Sequence, residues 1–201
     1  MRTPRHVRPL LLALLALPLT AALAGCGMDG TNKGSYITGD SQVQPVAVAD
    51  RGEPIDLSGT TLEGKAYDLS ADRGKPVVIN TWWSGCGPCN KEAPMLEQAS
   101  EKLGDTAKVL GINIRDYSAA DGLAFERKYA ATYPSLYSPD GKAVLAFPAR
   151  FAPRTVPATT ILDSEGRVAA IIRGVIPSAL TLTETVQCVL DPQAQGCKGF
   201  E

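Results

Sequence analysis

Two cysteines separated by two residues, Cys86 and Cys89, lie between an apolar β-rich run that begins at Val77 and an amphipathic helical pattern. The run is bounded by Gly74 and Pro76 and predicts a buried strand. The helical pattern places four apolar residues on one face: Met95, Leu96, Ala99 and Leu103. The sequence therefore predicts a strand that delivers the Cys-x-x-Cys segment to the first turn of a helix.

The start of a helix has a chemical consequence for Cys86. Unpaired backbone N–H groups and the positive end of the helix dipole favour a thiolate there. Because the thiolate is the nucleophile of disulfide exchange, Cys86 is predicted to be the reactive thiol. Cys89, one turn deeper, is placed to close the ring and resolve a mixed disulfide. Between them, Pro88 fixes φ early in the helix, and Gly87 lets a partner backbone approach.

The remaining cysteines are Cys26, Cys188 and Cys197. A four-cysteine zinc site is conceivable, but Cys188 and Cys197 lack the short spacing that such sites use, so we expect no metal. A structural disulfide between them would pin the tail to the last helix, and a second redox relay is the alternative. The only histidine, His6, lies in the predicted leader, which excludes Ser–His or Cys–His catalytic pairs and His-containing metal sites from the mature chain.

Several predicted elements before and after the two cysteines position this segment. An N-terminal hairpin is predicted with strands at 55–57 and 65–69 around the turn 58–64. Alternating side chains put Trp82 and Trp83 on opposite sides of the strand before Cys86, with Trp82 in the core or the active-site wall. After the cysteines, the sequence predicts a helix over 88–103 that Pro94 bends, a strand over 108–114, and a helix from Ser118 to about Ala131 with Asp121 as capping acid. A strand-like segment at 136–137 and a short helix over 142–147 follow. The last predicted elements are a hairpin with strands at 154–162 and 167–172 and a helix that begins at Pro177-Ser178 and ends at Asp191-Pro192.

Residues 1–25 are predicted to be a signal peptide, with three arginines followed by an apolar run from Leu10 to Ala24. That run is short for a membrane span, although an anchor or an ordinary leader is the alternative. It ends in Leu23-Ala24-Gly25-Cys26, which resembles the bacterial lipobox. This resemblance implies that Cys26 carries a lipid, and the Gly- and Ser-rich residues 26–50 then form a flexible tether.

Length and charge allow one domain over 51–191 with a tail at 192–201. The formal net charge is −1, and the leader holds three arginines without any acid, so the remaining residues are net acidic. A nucleic-acid-binding protein needs a basic face to neutralise phosphates, and this composition argues against one.

The stretch around the two cysteines resembles the thioredoxin superfamily, and within it the TlpA/ResA-like membrane-tethered thiol–disulfide oxidoreductases. The resemblance covers roughly residues 52–190. It implies an α/β class with a thioredoxin-like fold: a mixed central sheet flanked by helices, with an N-terminal β-hairpin extension. The residues that carry it are Asn80, Trp82, Cys86, Gly87, Pro88, Cys89, Glu92 and Pro94.

The same resemblance implies roles for residues outside the cysteine pair. Pro157 matches a cis-proline that faces the cysteines, and its neighbour Val156 would offer its backbone to a substrate peptide. Glu92 matches a buried carboxylate that would raise the thiol pKa values and carry a proton to or from Cys89. We further expect Glu92→Leu to leave the fold as stable or more so, since a buried carboxylate is costly to ionise.

One position departs from the family pattern. The residue directly before the first cysteine is usually Trp, and here it is Gly85. The flat hydrophobic flank of the site is therefore missing unless Trp83 fills it. The residues expected to contact a client are Trp82, Trp83, Gly87, Pro88 and Val156.

The function that the resemblance implies is that of a lipid-anchored thiol–disulfide oxidoreductase on the outer face of the bacterial cytoplasmic membrane. It would reduce protein disulfides, with apocytochrome c as one client, and receive electrons from a membrane thiol carrier. It would act as a monomer without any cofactor beyond the Cys86–Cys89 pair. Two alternatives fit less well: a peroxiredoxin-type peroxidase would want Thr where Trp83 stands, and a copper chaperone would want His and a wider cysteine spacing.

Overall fold

A computed structural model describes residues 42–201 of the chain, and a six-stranded mixed sheet forms its centre. The strands of the sheet and of a separate two-stranded hairpin are β1 Val43–Pro45, β2 Ser58–Thr60, β3 Ala66–Asp68, β4 Val77–Trp82, β5 Lys108–Asn113, β6 Ser135–Tyr137, β7 Ala158–Leu162 and β8 Val168–Arg173. The α-helices are α1 Gly87–Leu103, α2 Ala119–Tyr129 and α3 Ala179–Leu190.

Strand β4 lies inside the sheet, whose order is β1-β8-β7-β4-β5-β6. It runs parallel to β5 and antiparallel to β7, and all of its residues are buried. Its alternating side chains serve both faces: Val78 packs with α1 and α3, whereas Ile79 packs on the opposite face with Leu69 and Phe147. Burial on both sides explains why this strand is a continuous apolar run in the sequence.

The predicted helix boundaries follow from local capping. Cys86 is the N-cap of α1, Pro88 lies in its first turn and Pro94 lies within it. Ser118 and Asp121 form a capping box at the start of α2. The Ser178 hydroxyl accepts a hydrogen bond from the Thr181 N–H and so begins α3. These interactions satisfy N–H groups that a helix start leaves unpaired.

The boundary of the predicted tether is wrong. Residues 43–45 form β1, an antiparallel edge strand in which Val43 pairs with Ile172 of β8. Val43 and Val46 are both buried, so the folded part begins before residue 51. The strand has only three residues, and its Gly- and Ser-rich neighbours gave this part of the sequence the composition of a flexible tether. The predicted signal peptide 1–25, Cys26 and the tether as far as residue 41 lie outside the described residues.

The N-terminal hairpin exists and its second strand lies where it is predicted, but the prediction of its first strand is wrong. β2 and β3 pair at Ser58–Thr60 and Ala66–Asp68, so the first strand falls inside the predicted turn. Ile55 and Leu57 are not in a strand; both are buried under the sheet face that contains Ile79. Ile55 and Leu57 alternate with a polar residue because both pack on this face. A half-buried strand has the same alternation, so the sequence pattern alone could not distinguish the two.

The C-terminal residues pack with the domain. Cys188 and Cys197 form the expected disulfide. Phe200 is fully buried in the cluster between the sheet and helices α1 and α3. The predicted tail 192–201 is therefore attached to the domain through two buried residues, Cys197 and Phe200. Among the described residues, no helix combines the length and the apolar character needed to cross a membrane.

Candidate active site

The turn between β4 and α1 holds the Cys86–Cys89 pair at the first turn of the helix. The two cysteines are joined in a disulfide, and the Cys89 N–H donates a hydrogen bond to Cys86 Sγ over 3.1 Å. Both are buried, whereas Gly87 and Pro88 between them are exposed. The N–H groups and dipole at this helix end stabilise negative charge on Cys86 Sγ once the disulfide is reduced.

The loop before β7 approaches the cysteines from the other side. The Val156–Pro157 peptide bond is cis, as the family resemblance implied. The Val156 carbonyl oxygen lies 3.9 Å from Cys86 Sγ. Pro157 is buried and Val156 is half-buried, so the backbone beside the sulfur is accessible to a partner from one side.

Trp82 lies beneath the cysteine pair. It is 3% exposed, its ring stacks on Phe125 with 4.4 Å between centroids, and its Nε1 donates to Ser135 Oγ. It packs in one cluster with Cys86 and Cys89. Trp82 is therefore an inner wall of the site and does not reach the surface that a client contacts, which corrects its assignment to the substrate-binding residues.

Trp83 fills the flank that Gly85 leaves open. A Cβ atom built on Gly85 would lie 2.2 Å from the Trp83 ring, so the ring occupies the place of a side chain at position 85. Trp83 is half-buried and packs against the cluster that contains both cysteines. The hydrophobic flank expected from the family pattern is thus supplied from a different position in the sequence.

Glu92 is buried, as expected, with 1% of its surface exposed. Its Oε1 accepts a hydrogen bond from Asn80 Nδ2 over 2.6 Å, and its Oε2 accepts one from the Ile176 N–H over 2.8 Å. Asn80 Nδ2 also donates to Thr159 Oγ1 of β7. Burial raises the pKa of Glu92 to about 7, although the hydrogen bonds from Ile176 and Asn80 act in the opposite direction.

Glu92 and Cys89 line the same small cavity, and Trp82 and Phe125 are also in its lining. Its water-accessible volume is about 10 Å³, near the lower limit for one water molecule. The Glu92 carboxylate and the resolving Cys89 therefore border one common space.

The sequence reasoning missed the carboxylate that shapes the turn before Cys86. Asp116 is buried and accepts hydrogen bonds from the Ser84 N–H and hydroxyl and from Asn113 Nδ2. Asn113 ends β5, which runs parallel to β4. Because the carboxyl ends of adjacent parallel strands meet at one edge, polar residues just after β5 were the signal that could have revealed this contact.

Asn90 was also missed. Its Nδ2 donates to the carbonyl oxygens of Ser84 and Cys86, at 3.0 and 2.8 Å. Its Oδ1 accepts a hydrogen bond from the Tyr129 hydroxyl of α2 over 2.8 Å. The active-site turn is thus fixed by α1 and α2 together, and no local pattern in the sequence indicates the second of these contacts.

A cysteine pair at a helix start, a facing cis-proline and a buried carboxylate on a thioredoxin-like fold together define a thiol–disulfide oxidoreductase. Comparison with known proteins identifies the family. The Redoxin family model matches residues 40–187, and the chain belongs to this family.

Two relatives from Bacillus subtilis carry this activity or this fold in their names. Thioredoxin-like protein YneN is 29% identical over 60% of this chain and 69% of its own length. Thiol-disulfide oxidoreductase ResA is 27% identical over 61% of this chain and 63% of its own length. These matches confirm the predicted TlpA/ResA-like membership and the predicted oxidoreductase class.

Two solved structures from Corynebacterium share the fold. A DsbF homologue from C. diphtheriae is 30% identical, with a TM-score of 0.64 over 75% of this chain and 94% of that one. A secreted thiol-disulfide isomerase from C. glutamicum is 27% identical, with a TM-score of 0.65 over 78% of this chain and 97% of that one. The predicted thioredoxin-like α/β fold is confirmed.

The contacts of Glu92 argue against the expectation for Glu92→Leu. Leucine would leave the Ile176 N–H and one Asn80 N–H buried without the acceptors that they now have. Each unsatisfied buried donor costs about 1–3 kcal/mol. The free-energy cost of these unsatisfied donors exceeds the gain from removing a buried charge, so we expect Glu92→Leu to be destabilised.

Glu92 also makes stability depend on pH. Its pKa is about 7 in the folded state and near the ordinary 4.5 when unfolded, so the native state binds more protons between these values. The free energy of unfolding should therefore fall by on the order of 3 kcal/mol as pH rises through this interval. Denaturant unfolding of the oxidised protein at a series of pH values measures this fall, which Glu92→Gln should abolish.

The matched control is Glu101→Gln, an exposed acid of the same helix, which should keep the wild-type pH dependence. Parallel pH profiles for wild type and Glu92→Gln would show that Glu92 does not titrate in this range.

Proposed function

We propose that this protein reduces disulfides of client proteins outside the cytoplasmic membrane, with Cys86 as the attacking thiolate and Cys89 as the resolving thiol. The observation that carries this proposal is the N-cap position of Cys86, where its sulfur accepts the Cys89 N–H and faces the Val156 carbonyl. A thiolate at this point is both stabilised and directed toward an incoming peptide.

The reaction begins with the reduced pair. The Cys86 thiolate attacks one sulfur of the client disulfide, which releases the other client sulfur as a thiolate. Cys89 then gives its proton to the Glu92 carboxylate and attacks Cys86 Sγ. The Cys86–Cys89 disulfide forms and the second client thiolate leaves. The two electrons of the cysteine pair pass to the client, whose thiolates take protons from water.

Two opposing charges support the reducing direction. The start of α1 stabilises a thiolate, which favours the reduced pair and would make the protein an oxidant. The ionised Glu92 opposes a thiolate on either cysteine and so disfavours the reduced pair. Glu92 lines the same cavity as Cys89, so its negative charge opposes the stabilisation of a thiolate by the start of α1. This balance fits a donor of electrons.

The client-facing surface consists of the exposed Gly87 and Pro88, the half-buried Trp83 and the backbone of Val156. These residues are near Cys86 in the sequence or, like Val156, in contact with its sulfur. An extended client segment would lie along the Val156 backbone, with the Trp83 ring as its hydrophobic support.

We place the protein at the outer face of the membrane because Leu23-Ala24-Gly25-Cys26 offers a lipidation site. The Corynebacterium glutamicum protein of similar structure is described as secreted, which is consistent with this location. A membrane thiol carrier would return electrons to the Cys86–Cys89 disulfide, and we propose apocytochrome c as one client class, on the family resemblance of the sequence alone. We propose that the protein works as a monomer.

The assignment of the two cysteines predicts different trapping behaviour. Cys89→Ser leaves the attacking thiolate but removes the resolving thiol, so a mixed disulfide with an oxidised client should accumulate. Cys86→Ser should form none, because Cys89 lies within the first turn of α1 and lacks the N-cap position that stabilises a thiolate at Cys86. Non-reducing electrophoresis after incubation with an oxidised protein such as insulin measures both outcomes. Equal trapping by the two variants would contradict the assignment.

The lipid anchor predicts a mass change at Cys26. When the full chain is expressed in a bacterium that processes lipoproteins, the mature N-terminus should be Cys26 with a diacylglyceryl group. Mass spectrometry of the N-terminal peptide detects the increment, and Cys26→Ser should release the protein from the membrane fraction. An unmodified N-terminus elsewhere in the leader would refute the anchor.

A further inference from the structure

Two cavities meet at the end of helix α2. The lining of the small cavity includes Cys89, Glu92 and Glu126 of α2. A second, wider cavity of about 220 Å³ is also lined by Glu126 and is bordered by the exposed Glu63. Glu126, Ala131 and Tyr133 line both cavities. Glu126 thus stands between the buried redox site and a space that reaches the surface.

The hydrogen bonding of Glu126 is unusual for a structural residue. Its Oε1 is fully buried and has no hydrogen-bond partner among the described residues. Leaving a buried carboxylate oxygen unpaired is costly, so its position has no evident benefit for stability. Burial raises the pKa of Glu126, the Ser135 hydroxyl acts in the opposite direction, and the charge of Glu63 raises the pKa further.

The redox site has a need that Glu126 can meet. In the proposed reaction, Glu92 takes a proton from Cys89 in each turnover and must lose it before the next. Glu92 is 1% exposed, and both of its oxygens face donors, Asn80 and the Ile176 N–H, which cannot accept that proton. In the described structure, the small cavity is the route by which this proton can leave Glu92, and Glu126 is in its lining.

We propose that Glu126 relays the proton of Glu92 to solvent across the small cavity, in the reaction in which Cys89 resolves the mixed disulfide. This role rests on the proposed function of Cys89 and Glu92. Glu126 touches neither sulfur, so it acts through Glu92 and is not itself a catalytic residue.

The proton and electrons balance over the step. The Cys89 S–H bond breaks and its proton passes to the Glu92 carboxylate, while the Cys89 sulfur bonds to Cys86 and the client thiolate leaves. Glu92 then gives the proton to a water molecule in the cavity, which passes a proton to the Glu126 carboxylate. Glu126 releases it into the wider cavity, and both carboxylates return to their starting state.

The other titratable groups around Glu126 do not offer the same path. Glu63 lies on the outer side, across the wider cavity. Tyr133 borders both cavities, but burial above all, and then the charges of Glu97, Glu126 and Glu92, raise its pKa and keep it a neutral phenol. Tyr129 lines the small cavity and uses its hydroxyl to donate to Asn90.

The test is a single-turnover reaction of the reduced protein with excess 5,5′-dithiobis(2-nitrobenzoate). Cys86 attack releases the first thionitrobenzoate at a rate that depends on reagent concentration. Cys89 resolution releases the second at a rate that does not. Thionitrobenzoate leaves as a thiolate and needs no proton. The rate of the second phase therefore depends on how fast Cys89 loses its proton. Below pH 7 most of the Glu92 carboxyl is already protonated and must pass that proton on before it can accept the one from Cys89. Glu126→Gln should therefore slow the second phase on the order of tenfold at about pH 6 and leave the first phase unchanged.

Two further readouts separate a relay from a structural role. Small carboxylate or imidazole buffers should accelerate the second phase of Glu126→Gln but not that of the wild type, because they replace the missing proton acceptor. Glu126→Asp, which keeps the carboxylate, should recover part of the rate. The matched control is Glu184→Gln, since Glu184 of α3 also has a buried, unpartnered oxygen and a pKa raised by burial but lines neither cavity.

The outcomes distinguish the two proposals. A second phase in Glu126→Gln that matches wild type and Glu184→Gln in rate, pH profile and buffer dependence would overturn the relay alone. A wild-type protein without a concentration-independent second phase would overturn the role of Cys89, and with it the relay.

Discussion

The two hydrogen bonds that Glu92 accepts, from Asn80 of β4 and from the Ile176 N–H before α3, are the contact on which the site depends. They place a buried carboxylate at the point where the active-site helix, the central strand and the C-terminal helix meet. Without those donors, burial would favour a neutral acid even more strongly than it does. With them, Glu92 titrates close to neutral pH and can both accept and return a proton.

The cysteine pair is therefore set between two opposite electrostatic influences. The start of α1 lowers the free energy of a Cys86 thiolate, and the ionised Glu92 raises it. The rest of the site keeps this balance in place: Asp116 and Asn90 fix the turn before Cys86, and the stacked rings of Trp82 and Phe125 form its inner wall. In the reduced protein the two cysteines and Glu92 would interact, so apparent pKa values from a titration would belong to the three groups together.

Much of this arrangement could be predicted from the sequence, because it depends on local patterns. The apolar run of β4, the N-cap position of Cys86 and the capping of α2 and α3 are each specified within a few residues. Contacts between distant segments could not be predicted in this way. β1 is a short edge strand whose pairing with β8 has no local signal, and Ile55 and Leu57 alternate like a strand while packing as a loop. The roles of Asn90, Asp116 and Glu126 arise only when α2 and the end of β5 reach the active-site turn.

The central claim is that the charge of Glu92 makes the Cys86–Cys89 pair a stronger reductant. The most direct test is the reduction potential of this pair in wild type and in Glu92→Gln, measured by equilibration with a glutathione or dithiothreitol redox buffer at a pH above 7, where Glu92 is ionised. Removing the charge should raise the potential by on the order of 30 mV, while Glu101→Gln should leave it unchanged. An equal or more negative potential in Glu92→Gln would contradict the account.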